Sequence, residues 1–185
     1  MSSSIIDTLH REHANMRSVL MLIRQELDKL EGEDEPNFVL LANALYYMRK
    51  FPSIMHHPKE DLIFERLSVA DGGYKAEVDR VRRQHEDIYG LEEWLIELAL
   101  NTPKRDTSGR KRMLEFGHHY LQTQREHSEA EELTLFPRAL QVLGPKDWAA
   151  VEQTSKKLED PLFGEHSGER YQLLYDHIMR ESSLA

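Results

Sequence analysis

The sequence predicts an all-α fold, an up-down-up-down four-helix bundle with short C-terminal helices. Three observations predict it. Apolar residues recur at three- and four-residue steps through long stretches of the chain, the spacing of one helix face. Alternating runs of strand-favouring residues are scarce, so no sheet is expected. Breaks bearing glycine and proline divide the helical pattern into four long stretches and a shorter tail. Residues 1–145 are expected to form the bundle, and residues 146–185 a helical extension packed on it.

The first helix is carried by Ile5, Ile6 and Leu9, then by Met16, Val19, Leu20, Ile23, Leu27 and Leu30. The acidic, proline-containing run from Glu31 to Pro36 ends it. The second starts near Asn37, is interrupted at Pro52 and resumes from Ser53 to Val69. Pro58, which has no N–H to donate, is expected to kink this helix or widen a turn. After a turn at Asp71, Gly72 and Gly73, the third helix runs from about Lys75 to Leu100. Val78, Val81, Ile88, Leu91, Trp94, Leu95 and Leu98 line its apolar side. Asn101 to Gly109 is the longest expected loop, and the fourth helix runs from about Arg110 to Phe136, stopping at Pro137. Beyond Gly144 and Pro145, a short helix from Asp147 to Leu158 and an amphipathic segment from Glu169 to Arg180 complete the chain. Trp148, Tyr171, Leu174 and Tyr175 would pack this tail across the bundle or supply a dimer contact, giving a monomer or a homodimer.

Composition removes several functional classes. Hydrophobic residues at 39% beside 31% charged residues describe a soluble globular chain and not a disordered one. The absence of cysteine excludes disulfides, thiolate nucleophiles and iron–sulfur clusters, and fits a cytoplasmic location. Any metal must then be held by nitrogen and oxygen. The net charge of −9 argues against nucleic acid or an anionic membrane as partner. Lys104, Arg105, Arg110, Lys111 and Arg112 form the one short basic stretch, at an expected turn and helix start. The N-terminus lacks the pattern of a signal peptide, and the apolar stretch from Phe38 to Met48 is too short to span a bilayer.

The chemistry lies in the histidines. His56 and Glu60 sit four residues apart, as do His127 and Glu131; both segments read His-x-x-x-Glu-acid-Leu. That spacing places imidazole and carboxylate on one helix face, a turn apart. His13 and His85 each stand on the core side of their helices, with matching apolar residues at −7, −4, +3, +6, +9 and +10. The offsets agree: 72 residues separate His13 from His85, and 71 separate His56 from His127. The chain thus reads as two helix pairs, each giving a lone histidine and then a His-x-x-x-Glu. Up-down connection would bring the six side chains together in the core, the construction of carboxylate-bridged di-iron sites. Burying these groups unpaired would cost several kcal/mol per charge, a cost that two cations remove. The donor set suits iron or manganese and would accept zinc.

The succession His, His-x-x-x-Glu, His, His-x-x-x-Glu resembles the bacterial hemerythrin-like, or HHE cation-binding, family over roughly residues 5 to 140. The strings HHPKEDLIF and EHSEAEELTLFP are similar to its two signature segments. The resemblance implies two non-haem, carboxylate-bridged irons, with His13, His56, His85 and His127 as ligands and Glu60 and Glu131 as bridges. Tyr89 stands where the oxygen-carrying members have a further histidine. Where they have an aspartate five residues after the last histidine, Glu131 and Glu132 compete, and Glu131 is favoured because it matches Glu60. His57 is either a seventh ligand replacing the missing histidine or a supporting or exposed histidine beside Pro58. Tyr120 and Tyr89 either face the site or pack in the core. His10, His118, His119, His166 and His177 are not assigned to the metal.

Such a centre would bind, sense or scavenge a small diatomic or peroxide ligand: dioxygen, nitric oxide or peroxide. The altered ligand set speaks against simple reversible oxygen carriage. Two other functions fit the same residues, an enzyme that decomposes peroxide or reduces nitric oxide, and an iron-buffering or structural metal bundle.

Overall fold

A computed structural model describes residues 2–32, 34–102, 106–154, 160–164 and 171–182. Among these, every regular element is helical. Helix α1 (Ser2–Glu31) is followed by α2 (Phe38–Phe51), which continues through a π turn (Pro52–His56) into α3 (His57–Ala70). Helix α4 (Lys75–Asn101) is unbroken, and α5 (Thr107–Ala130) runs through a second π turn (Glu131–Leu135) into α6 (Phe136–Val142). The tail contains α7 (Pro145–Thr154) and α8 (Gln172–Ser182).

Two expected breaks are instead continuous. Pro52 and Pro137 do not stop their rods, because each lies in or beside a π turn. In both turns the closing bond spans five residues, from the His57 N–H to the Pro52 carbonyl and from the Phe136 N–H to the Glu131 carbonyl. The next residue in each case is a proline, Pro58 or Pro137. Widening the turn removes the clash between the proline ring and the preceding carbonyl. The fourth rod also starts earlier than expected, at Thr107, because the Asp106 side chain accepts from the Gly109 N–H at 3.0 Å.

Helices α1 and α4 each pack on both α2 and α5, closing a ring of four. The approach of α5 to α1 is tight at Gly117, where an added Cβ would stand 2.6 Å from Leu27 Cδ1. The first turn between rods is held by Glu26, fully buried, whose carboxylate accepts from the Asn37 N–H at 2.6 Å. At the other end Arg138 grips Asp71 at 2.6 and 2.8 Å, tying α6 to the turn before α4.

Apolar residues gather in two clusters. One joins the Met16–Leu30 face of α1 with α2, the second half of α4 and the first half of α5. The other joins Ile6 and Leu9 with Ile63, Phe64, Leu67, Val78, Val81, Leu135 and Phe136. His13, His56, Glu60, His85 and His127 fall between these clusters along the chain, and Glu131, one turn beyond His127, joins them in a polar layer inside an apolar bundle. The tail covers the bundle's side: Leu162, Tyr171, Leu174 and Ile178 join the first cluster, and Trp148 and Val151 the second. Asp160 fixes this docking by accepting the Tyr47 hydroxyl proton at 3.0 Å.

Helix α4 departs from expectation at one face. Trp94 is exposed and stacks on Phe116, while Glu92 takes the buried position with 2% exposure. No described helix is long and apolar enough to cross a membrane.

Candidate metal centre

The seven side chains named from the sequence converge in two groups. His13, His56, Glu60 and Glu131 form one; His57, Glu60, His85 and His127 form the other. Within each group the donor atoms lie within 4.8 Å of one another, and Glu60 belongs to both.

The carboxylates span the two groups. Glu60 Oε1 lies 2.9 Å from His56 Nε2 and 3.5 Å from His13 Nε2, while its Oε2 lies 3.7 Å from His85 Nε2. Glu131 Oε2 lies 3.4 Å from both His13 Nε2 and His127 Nε2, and its Oε1 lies 3.8 Å from His85 Nε2. Two donors each about 2.1 Å from one cation stand roughly 3–3.5 Å apart at ordinary coordination angles, so these spacings suit shared cations. His57 is half-buried, its ring stacked on His85 at 3.8 Å between centroids.

Protein groups alone do not satisfy this layer. Both oxygens of Glu60 and of Glu131, Nε2 of His56 and His85, and Nδ1 of His127 are buried without a hydrogen-bond partner. They make up seven of the nine such atoms among the described residues. Nearby histidine nitrogens approach the carboxylates without hydrogen-bond alignment. Buried groups of this kind ordinarily find partners, and a cation between the rings would supply them for all but His127 Nδ1, which lies on the far side of its ring. The donor set fits a metal.

The electrostatics draw positive charge into the layer, and in the absence of a cation a proton on His13 supplies it. Burial presses the His13 ring toward neutrality, yet Glu131, Glu132 and Glu60 outweigh it and lift its pKa to about 11. Burial would raise Glu60, but His56 and His13 hold it well below the usual carboxylate range. Glu131 is also lowered: burial and Glu60 oppose, while His127, His13 and His85 prevail. Burial keeps His127 and, more strongly, His57 below the ordinary histidine value, so both rings offer a lone pair.

Outside the layer, two carboxylates aim the rings. Glu132 Oε1 lies 2.8 Å from His13 Nδ1 and accepts from Arg17 at 2.9 Å. Glu12 Oε2 lies 2.8 Å from His56 Nδ1, and its other oxygen pairs with the buried Lys59. Carboxylate–histidine pairs of this kind fix ring orientation and raise ligand basicity. Glu131 is fully buried between the histidines, whereas Glu132 is half-buried and lies behind His13. Glu132 falls to about pKa 2, chiefly through its His13 hydrogen bond, with burial opposing and Arg17 assisting.

The other candidates separate. Tyr120 is buried, and its hydroxyl donates to Glu92 at 2.9 Å, not to a metal ligand. Tyr89 is exposed at a surface groove shared with His57 and His85, and accepts from Arg49 at 2.7 Å. His10 approaches Glu132 at 3.7 Å, His118 and His119 are exposed, His177 is half-buried in α8, and His166 lies outside the described residues. Glu12, Lys59, Glu92 and Gln124 were not singled out by sequence reasoning. For Glu92 a signal existed, an acidic residue two turns after His85 on the same face.

A narrow pocket of about 20 Å³ adjoins the layer, bounded by His13, His56, His57, His127 and Gln124, with Arg17 and Leu20 at its outer side. It has room for one molecule of water size.

Fold and site together define a class, a helical-bundle metal-binding protein. The chain matches the family model described as Hemerythrin HHE cation binding domain over residues 4–139, and it belongs to that family. Comparison with curated proteins and with solved structures gave no match.

Proposed function

We propose that the chain holds two non-haem iron ions and uses them to bind a small ligand, dioxygen, nitric oxide or peroxide. The observation that carries this reading is the pair of four-residue groups sharing Glu60, with four carboxylate oxygens buried and without donors. His13 and His56 would hold one ion and His57, His85 and His127 the other, with Glu60 and Glu131 as the carboxylates that serve both. Manganese or zinc fits the same donors. Bound iron supplies a Lewis-acidic, redox-active centre. The chain's own residues do the rest: Glu12 and Glu132 orient the first two histidines, and the apolar clusters on either side exclude water. The small cavity limits access to ligands of a few atoms.

In this reading the rods run up-down-up-down, since the connections at residues 32–37, 71–74 and 102–106 are short enough to force reversal. Residues 1–145 are the metal-binding bundle and residues 146–185 its extension.

Metal analysis of the purified protein tests the proposal, with two irons per chain expected together with ferric absorption in the near ultraviolet. One zinc, or no metal, after expression in iron-rich medium would reject it. A stable spectral change with nitric oxide or dioxygen supports the binding role. Sustained gas evolution from peroxide, lost in Glu131→Ala, would replace binding with catalysis.

A further inference from the structure

Gln124 stands one turn before His127 on the stripe that also carries Tyr120 and Glu131, and it is 8% exposed. It forms part of the wall of the narrow pocket beside the layer, with His57 and His127. The other polar neighbours in that wall are committed elsewhere. Ser128 donates to the main-chain carbonyls of Gln124 and Arg125, and Arg17 donates to Glu132.

The amide is held by a hydrogen-bond chain with one polarity. Tyr120 has a single hydroxyl proton and donates it to Glu92 Oε1 at 2.9 Å. Its oxygen is then an acceptor, and Gln124 Nε2 donates to it at 3.2 Å. This fixes which end of the amide faces Tyr120. A primary amide has a second N–H and a carbonyl oxygen beyond that bond. Glu92, buried away from water, accepts at Oε1 whether or not its other oxygen carries a proton.

We propose that Gln124 hydrogen-bonds the small ligand held in the cavity, and that Tyr120 and Glu92 are positioning residues that orient its amide. The inference rests on the di-iron reading. It assigns the cavity a preference for ligands whose outer atom carries partial negative charge, over apolar ligands of the same size. A hydrogen bond to a charged acceptor corresponds to roughly tenfold or more in affinity.

Azide is a suitable probe, being small, anionic and infrared-active. Full-length, iron-loaded protein would be titrated with azide, and the bound-azide stretch recorded in ordinary and deuterated buffer. In the wild type the band is expected to shift on deuteration. Gln124→Met, which keeps the chain's shape without the amide, is expected to bind azide about tenfold more weakly and to lose most of the shift. Tyr120→Phe should fall between the two, whereas Glu92→Gln, which still offers an acceptor to Tyr120, should stay near the wild type. An unchanged azide affinity and band in Gln124→Met would overturn the inference while leaving the metal reading intact. Failure of the wild type to take up iron would overturn both. The deuteration shift is read on the wild type, so its absence would also overturn the inference, whatever the folding of the variants.

Discussion

Behind His13 and His56 stand carboxylates, Glu132 and Glu12, each 2.8 Å from a ring Nδ1. Behind His127 the Nδ1 atom is buried with no partner, and His57 and His85 are stacked on each other beside an open groove. The two sides of the centre are therefore built in unequal ways. Rings on the His13–His56 side are aimed before any cation arrives. On the His57–His85–His127 side, aim depends on ring stacking and on the cation itself. Preorganisation predicts tighter binding at the first side and easier ligand exchange at the second.

The largest expected effect comes from breaking what the two sides share. Glu60 belongs to both groups, so Glu60→Ala is expected to reduce bound iron from two per chain to nearly none, measured by elemental analysis. The same variant should lose the rise in Tm that iron gives the wild type, since a ligand bound only by the native state stabilises by mass action. One tightly held iron remaining would show that the sides are independent. Next in size is His57→Ala, expected to remove one iron and spare the other; loss of both, or of neither, would contradict the asymmetry. Glu12→Gln leaves every proposed ligand in place and should weaken iron binding roughly 10–100-fold in chelator competition. Equal affinity would mean that His56 needs no support.

The smallest effect concerns protons. Burial lifts Glu92 to a pKa of about 8 against the ordinary 4.5, opposed by the Tyr120 hydrogen bond and by Arg49. Between those values the unfolded chain releases a proton that the native chain retains, so this group costs stability as pH rises from 4.5 toward 8. Glu92→Gln removes that dependence. Its Tm should match the wild type near pH 4, exceed it by a few degrees at pH 8, and show no further widening above that. A constant difference across the range would refute the assignment.

How much of this was legible in the sequence follows from what spacing can encode. His56 with Glu60, and His127 with Glu131, are neighbours on one helix, and a separation of four residues dictates their common face. His13 and His85 were placed by the apolar residues around them on the same helix. Contacts between rods leave no such mark. Glu12 reaches His56 across 44 residues, and Glu132 reaches His13 across 119, distances over which no periodicity operates. Helix α4 misled in one place because a tryptophan fits an apolar stripe better than a glutamate does. The Tyr120 hydroxyl gives Glu92 the partner that makes its burial possible.

The π turns have a consequence for how the chain is counted. At about 100° per residue, the apolar stripe beyond each turn would point roughly 100° away from the stripe before it if the helix were regular. The surplus residue in Pro52–His56 and in Glu131–Leu135 absorbs that angle. Both apolar clusters consequently face one interior, although in sequence they are out of phase by a single position. Removing one residue from either turn would leave the stripes aligned on an ordinary α-helix. It would also drive a proline ring into the preceding carbonyl and redirect His56 or Glu131. The core would absorb such a deletion, and the centre between its two halves would not.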